Sequence, residues 1–267
     1  MSKSIALRPN EVDFKQISYS DPRSMSSGGK MIFLNYNNGS FYLQTPELEC
    51  PFDNVFYPDG SDDKGKIPVN VSLKGHEDEQ KVSEFFEMLV KFDDNVKEAC
   101  EKNSLSWHKK QKMSMETVES LYSSMARLHV DDDGVPDGKY PPQFRYKIAK
   151  KDGKWECRFY DKDKQEIENP NVDNLLKKGC KLKALLRCTG VWIAGGKFGC
   201  SWKAEQIIVR NPETLDDFAF RSDDEDEEEV GDESDTQTVG FAESDSDDTD
   251  EEEEEVVVKK TSKSKKK

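Results

Sequence analysis

The spacing of hydrophobic positions changes twice along the chain, dividing it into strands, then helix, then strands again. Met31 to Tyr36 and Phe41 to Thr45 are aromatic-rich runs separated by Asn37, Asn38, Gly39 and Ser40. Asn and Gly tolerate the positive φ of a tight turn, so the spacing predicts a hairpin between the two runs. Pro46, Pro51 and Pro58 mark an irregular stretch, and Ile67 to Leu73 reads as a further strand. From Glu79 to Asn103 the apolar residues Val82, Phe85, Phe86, Leu89, Phe92, Val96, Ala99 and Cys100 recur at three and four. That period gives one apolar face of a long helix. Met115, Val118, Leu121, Tyr122 and Met125 predict a shorter helical stretch.

Alternation returns after Asp131, Asp132, Asp133 and Gly134. Phe144, Tyr146 and Ile148 alternate with Arg145 and Lys147. Beyond a turn at Lys151, Asp152 and Gly153, the residues Trp155, Cys157 and Phe159 alternate with Lys154, Arg158 and Tyr160. Successive strand side chains point to opposite sides, so this is a second predicted hairpin with one apolar and one basic face. Lys181 to Cys188 repeats the design: Leu182, Ala184, Leu186 and Cys188 face in, and Lys181, Lys183 and Arg187 face out. Phe198 to Val209 closes the set. The expected fold class is mainly β, with an OB-like Greek-key barrel as the leading candidate, because five such strands commonly frame a helix between the third and fourth. The expected division is an N-terminal arm and loop at 1–30, an OB-like nucleic-acid-binding domain at 31–212 with a helical insertion at about 79–128, and a tail at 213–267.

Charge changes the picture most in the last quarter. Ser222 to Glu255 holds 20 Asp/Glu and no Lys or Arg, and Lys259 to Lys267 then adds 6 lysines. The remainder, Met1 to Arg221, carries 35 acidic and 34 basic residues, so the low isoelectric point belongs to the tail. A segment this charged, with little to bury, is expected to be disordered. Two roles fit it: lying over a basic groove of its own domain until nucleic acid displaces it, or recruiting basic partners. Within the body, Lys139 to Arg210 has 17 Lys/Arg against 8 Asp/Glu. A flexible tether next to that basic half holds the tail at high effective concentration over it.

Other chemistry is thinly represented. Cys50, Cys100, Cys157, Cys180, Cys188 and Cys200 form no CxxC pair, which suits reduced thiols in an intracellular protein. His76, His108 and His129 are far apart, so no metal is expected, and no cofactor. No phosphate loop, dinucleotide fingerprint, nucleophile elbow or zinc-protease helix occurs, and Gly195 to Gly199 reads as a turn. The carboxylates outside the tail are scattered, so no enzyme activity is expected. There is no long uncharged apolar run and no charged-then-apolar leader, so the protein is expected to be neither secreted nor membrane-spanning.

What remains is cations and aromatics on strand faces. Single-stranded nucleic acid needs Lys/Arg along a groove for its phosphates and exposed rings for its bases, each stack worth about 1–3 kcal/mol. Arg145, Lys147, Lys154, Arg158, Lys181, Lys183, Arg187, Lys197 and Lys203 are the candidate phosphate contacts, and Tyr160, Trp192 and Trp202 the candidate stacking residues.

Two stretches carry a resemblance. Lys30 to Gly39 (KMIFLNYNNG) with Phe41 to Phe52 (FYLQTPELECPF) resembles the opening of the single-stranded DNA-binding proteins of large nucleocytoplasmic DNA viruses. That group is related to the single-stranded DNA-binding protein of short-tailed phages. Val191 to Val209 resembles the family's final strands, and the middle helix and acidic tail suit it. The resemblance implies an OB fold, cooperative or homodimeric binding of single-stranded DNA, and a tail that contacts viral replication proteins such as a polymerase, helicase or primase. It also implies a place in viral DNA replication, repair or recombination, in the host nucleus or a cytoplasmic viral factory. The chain departs from the phage pattern in ending on lysines, with its one tail aromatic, Phe241, in the interior. Ser222, Ser234, Ser244 and Ser246 stand beside acidic runs, as targets of an acidophilic kinase do. The alternative expectation, from another class, is an acidic-tailed chaperone or protein-interaction module that binds basic proteins.

Overall fold

Residues 6–26, 28–54 and 65–211 are described by the computed structural model of this chain. The expected boundary at 212, the acidic tail with its serines and Phe241, the lysine-rich end, and Pro58 lie outside the described residues. The chain is mainly β, a mixed multi-strand sheet with a few helices. In chain order, β1 (Ile17–Tyr19), β2 (Arg23–Ser24), β3 (Lys30–Ile32), β4 (Leu34–Tyr36), β5 (Tyr42–Gln44), β6 (Leu48–Glu49) and β7 (Gly65–Ser72) precede the helices. These are α1 (Gln80–Lys102), α2 (Ser104–His108) and α3 (Met115–Leu121). Then follow β8 (Tyr122–Ser123), β9 (Ala126–Arg127), β10 (Gln143–Lys151), β11 (Lys154–Trp155), β12 (Arg158–Tyr160) and the short α4 (Val172–Leu175). The long hairpin β13 (Lys181–Ala194) and β14 (Lys197–Arg210) ends the set.

The 3.6-residue period from Glu79 onward becomes α1, which buries Val82, Phe85, Leu89, Phe92, Val96, Ala99 and Cys100. Phe86 stays at the rim, its ring 4.7 Å from that of His76. The shorter helix stops at Leu121 instead of running to Met125. Asp93 of α1 explains the break: its carboxylate accepts hydrogen bonds from Tyr122 Oη (2.6 Å), Ser124 Oγ (2.5 Å) and the Met125 backbone N–H (3.1 Å). Those bonds take the chain out of the helix after Leu121, and Tyr122 and Ser123 pair in parallel with Phe198 and Gly199 of β14.

The first predicted turn forms, but the hairpin does not. Asn37 and Asn38 adopt φ of 47° and 61°, and Tyr36 and Gly39 exchange both backbone hydrogen bonds at 2.9 Å. Yet β4 pairs with β1, and β5 pairs with β13. Turn conformation is local chemistry, whereas strand pairing is set by which long partner buries each apolar face. β3, β5 and β6 all lie along the same edge of β13, opposite its residues 191–193, 185–187 and 181–182. Runs that read as separate strands therefore act as one interrupted strand. α1 lies between β7 and β10 in the chain, after the third run expected from the sequence and before the fourth, with α2, α3, β8 and β9 also between them. β7 and β10 themselves pair antiparallel from Ser72↔Gln143 to Gly65↔Lys150.

The second predicted hairpin forms at Asp152 and Gly153 (φ 50° and 76°) but is short, with Lys150 opposite Trp155 and Lys151 opposite Lys154. The strand expected over 154–160 breaks after Trp155. Cys157 and Phe159 turn into the core, and β12 runs parallel to Gln206–Ile208 of β14. Residues near the start also join the sheet: Leu7 donates its N–H to Tyr42 O and accepts from Gln44 N, while Phe14, Ile17 and Tyr19 pack on the core. Cys50, Cys100, Cys157, Cys180 and Cys188 are buried, and the described cysteines are all free thiols. No helix among the described residues is long and apolar enough to cross a membrane.

Candidate nucleic-acid interface

Register turns the outward side chains of separate strands into rows. Tyr42 of β5 stands opposite Arg187 of β13, Arg187 opposite Lys203 of β14, and Lys203 opposite Lys147 of β10. Opposed residues share a face, so one row of an aromatic and three cations crosses four strands. Parallel rows follow: Gln44, Leu185, Gln206 and Arg158; Lys183, Ile208 and Tyr160; Lys181 and Arg210. The inward partners Leu182, Ala184, Leu186, Cys188, Trp202, Ala204 and Ile207 fill the core. A bulge shapes the face. Leu185 opposes Gln206 while Leu186 opposes Ala204, so Glu205 is the extra residue. Glu205 Oε1 accepts from Arg187 Nε at 2.6 Å. Lys203 Nζ likewise donates to Glu156 Oε2 at 3.0 Å, and that bond, with the lysine's charge, holds the Glu156 carboxyl below the usual range.

The β7–β10 side of the face is more strongly positive. Lys66, Arg127, Arg145 and Lys147 come together there, and among the described residues none of the four pairs with a carboxylate. The Lys147 ammonium is held below its ordinary pKa, first by the loss of water around it and then by the charges of Lys66, Arg145 and Arg127. A polar relay sets this corner. Arg145 Nε donates to Asn70 Oδ1 at 2.6 Å, and Asn70 donates its backbone N–H to Asn54 Oδ1 at 3.0 Å. Asn54 Nδ2 in turn reaches Leu176 O and Cys50 Sγ. The backbone N–H at Asn70 thereby has a side-chain partner, and Arg145 is oriented.

The sequence-predicted residues separate accordingly. Lys147, Arg158, Tyr160, Lys181, Lys183, Arg187 and Lys203 take outward positions in the rows, and Arg145 stands beside them in the β7–β10 cluster. Lys154 does not share a strand with Arg158 and Tyr160; it opposes Lys151 at the exposed end of the β10–β11 hairpin. Tyr160 borders a hollow of about 580 Å³ with Lys164, Lys183, Leu185, Gln206 and Ile208. Beyond Lys183 a second hollow of about 650 Å³ is lined by Arg8, Lys81 and Arg210, with Glu47 and Glu84. Trp192 and Lys197 lie farther along the hairpin, Trp192 half-buried over Gly199 and Lys197 exposed at the turn. Trp202 is a correction. It is 1% exposed, among the rings of Phe41, Phe92 and Phe144, and its indole N–H points at Met125 Sδ at 3.0 Å. It has no face to offer a base. Its alternation with Lys203 placed it inward from the start, in phase with Phe198 and Ala204.

Tyr42, Lys66 and Arg127 were not singled out from the sequence. No local signal marks them, because what brings them to the face is pairing with Arg187, Ala149 and Gln143 on other strands. Among the described residues no group of three or more His, Cys, Asp or Glu is placed to hold a metal ion.

The chain matches no protein-family model and no curated protein sequence. Solved structures similar to it include the single-stranded DNA-binding protein of bacteriophage Enc34 in complex with single-stranded DNA. That similarity has TM-score 0.42 and 11% identity, over 73% of this chain and 97% of that one. The same phage protein without DNA gives TM-score 0.41 and 10% identity, over 78% and 98% of the two chains. Bacteriophage T7 gp2.5, a single-stranded DNA-binding protein, gives TM-score 0.41 and 12% identity, over 65% and 93%. Overlap this loose transfers neither a fold nor a function to this chain.

Proposed function

We propose that this chain is a non-enzymatic single-stranded nucleic-acid-binding protein whose outer sheet face takes the phosphates on Lys/Arg rows and bases on Tyr42 and Tyr160. The observation that carries the reading is the row Tyr42–Arg187–Lys203–Lys147 together with the carboxylate-free cluster Lys66, Arg127, Arg145 and Lys147. Cations spaced across a sheet neutralise phosphates and release the counterions condensed on the nucleic acid, and rings among them stack bases regardless of sequence. Double-stranded DNA offers the same phosphates but hides its base faces in the stack, so single strands are preferred.

An OB-like barrel is part of the proposal. An antiparallel hairpin β13–β14, an antiparallel pair β7–β10 and a parallel contact between β10 and β14 support it. DNA as the ligand, and a place in replication, repair or recombination of a large viral genome, rest on the sequence resemblance. So do a homodimeric or cooperative mode of binding and contacts with viral replication proteins. The acidic segment Ser222 to Glu255, with 20 carboxylates, acts as a competing polyanion for the face or recruits those proteins.

The test is an equilibrium titration of the full chain against single- and double-stranded oligonucleotides of one sequence, repeated after deleting Ser222 to Lys267. Tighter binding to the single strand, strengthened by the deletion, is the expected result. Indifference to strandedness would remove the stacking role, and an unchanged affinity after deletion would leave the acidic segment to partner recruitment.

A further inference from the structure

We propose that Phe33, Arg23 and Trp192 form a second stacking platform for single-stranded nucleic acid, at the turn end of the β13–β14 hairpin. The inference rests on the reading above and extends the path of the strand along the same face. Register fixes the side. Trp192 stands opposite Gly199, and Gly199 alternates through Ser201 to Lys203, so Trp192 shares the face of the cation row. At about 3.3 Å per residue, Gly199 lies roughly 13 Å beyond Lys203. Met31 stands opposite both Trp192 and Arg23, while the intervening Ile32 and Val191 are fully buried. Met31, Arg23 and Trp192 are therefore on the outer side.

Phe33 is 42% exposed, and the Arg23 guanidinium lies 5.3 Å from its ring centroid. A planar cation over an exposed ring is a surface on which a base stacks on either component. Two glycines set its geometry. Gly190 has φ +121°, and a Cβ there would fall 2.1 Å from Ile32 O and 3.1 Å from the Phe33 Cα, so its absence lets the Phe33 backbone lie against β13. At Gly199 a Cβ would stand 3.1 Å from Trp192 Cζ2, so the indole rests on bare backbone. Lys197 is exposed at the end of the hairpin, and among the described residues neither it nor Arg23 has a carboxylate partner. The patch thus offers two rings and two cations, the chemistry of the main rows repeated at a distance.

Fluorescence anisotropy of the full chain on oligothymidylates of increasing length tests this, with Phe33→Ala, Phe33→Tyr and Lys147→Glu measured beside the wild type. Phe33→Ala is expected to match the wild type on the shortest oligonucleotides that bind and to be about five-fold or more weaker on those long enough to reach the hairpin turn. Phe33→Tyr, which keeps a ring, restores the affinity. If Phe33→Ala follows the wild type at every length while Lys147→Glu weakens binding, the platform is overturned and the main face stands. If Phe33→Ala loses equally at every length, the distal position is overturned. If Lys147→Glu also binds as the wild type does, both readings fall.

Discussion

Lys147 and Lys203 stand directly opposite each other where β10 and β14 run parallel. Like charges in opposed positions destabilise a sheet. Lys203 is balanced by Glu156, but Lys147 faces Lys66, Arg127 and Arg145 with no carboxylate among the described residues. A fold that keeps such a cluster gives up stability at that point, which is common where a ligand of opposite charge completes the site.

Lys147→Gln is expected to leave stability within about 0.5 kcal/mol of the wild type, or above it, because removing the charge relieves its lost hydration and the repulsion of its cationic neighbours. Nucleic-acid affinity falls at the same time, and the slope of log affinity against log salt shrinks by about one. Urea unfolding and a salt series on one oligonucleotide check the two halves.

The depressed pKa of Lys147 gives a pH signature. The free folded protein loses this proton below the ordinary lysine value of 10.5, whereas a bound phosphate favours the charged form. The strain of the charge on the free fold is full below the folded pKa and is relieved as pH rises through it. Affinity should accordingly hold at neutral pH and fall with rising pH before an ordinary lysine would titrate. Lys147→Arg keeps its charge throughout, so its affinity should stay flat over that window. Parallel curves for the two proteins would count against Lys147 as a phosphate contact.

On the proposed function, Glu156, bonded to Lys203 Nζ at 3.0 Å, would compete with phosphate for that lysine. Glu156→Gln removes the competitor and is expected to raise affinity a few-fold and steepen the salt slope. An affinity at or below that of the wild type would mean that the Lys203–Glu156 bond positions the lysine for binding.

Trp202 and Tyr160 should separate cleanly. Trp202→Ala opens a cavity among Phe41, Phe92 and Phe144 and should cost about 3–5 kcal/mol of stability. Tyr160→Ala, at a half-buried outward position, should leave the unfolding midpoint nearly unchanged and weaken binding by the stacking of about one base, 1–3 kcal/mol. Thermal unfolding beside a binding titration distinguishes them.

Much of this was legible in the chain because it is local. The period of α1, the turns at Asn37–Asn38 and Asp152–Gly153, and the basic outward phase of β10 and β13 follow from side-chain spacing and backbone freedom. What was not legible is long-range. The hairpin expected around Asn38 dissolves because β5 pairs with a strand more than a hundred residues away. The strand expected through Tyr160 breaks because Cys157 and Phe159 are drawn into the core. Tyr42 joins the basic face only through Arg187, and Glu205 only through a bulge. Trp202 differs for another reason: an indole among lysines suggests stacking by residue type, while its phase with Phe198 and Ala204 points it into the core.

Whether the proposed face of β10, β13 and β14 holds the phosphates of a single strand is decided by one comparison: the salt slope of full-length wild type and of the Arg145→Glu, Lys147→Glu, Lys203→Glu triple variant on one single-stranded oligonucleotide. A slope flatter by about two is expected, at roughly 0.7 per lost contact on a single strand, with a large loss of affinity at low salt that narrows as salt rises. A triple variant that folds as the wild type does and binds with equal affinity and equal slope would contradict it.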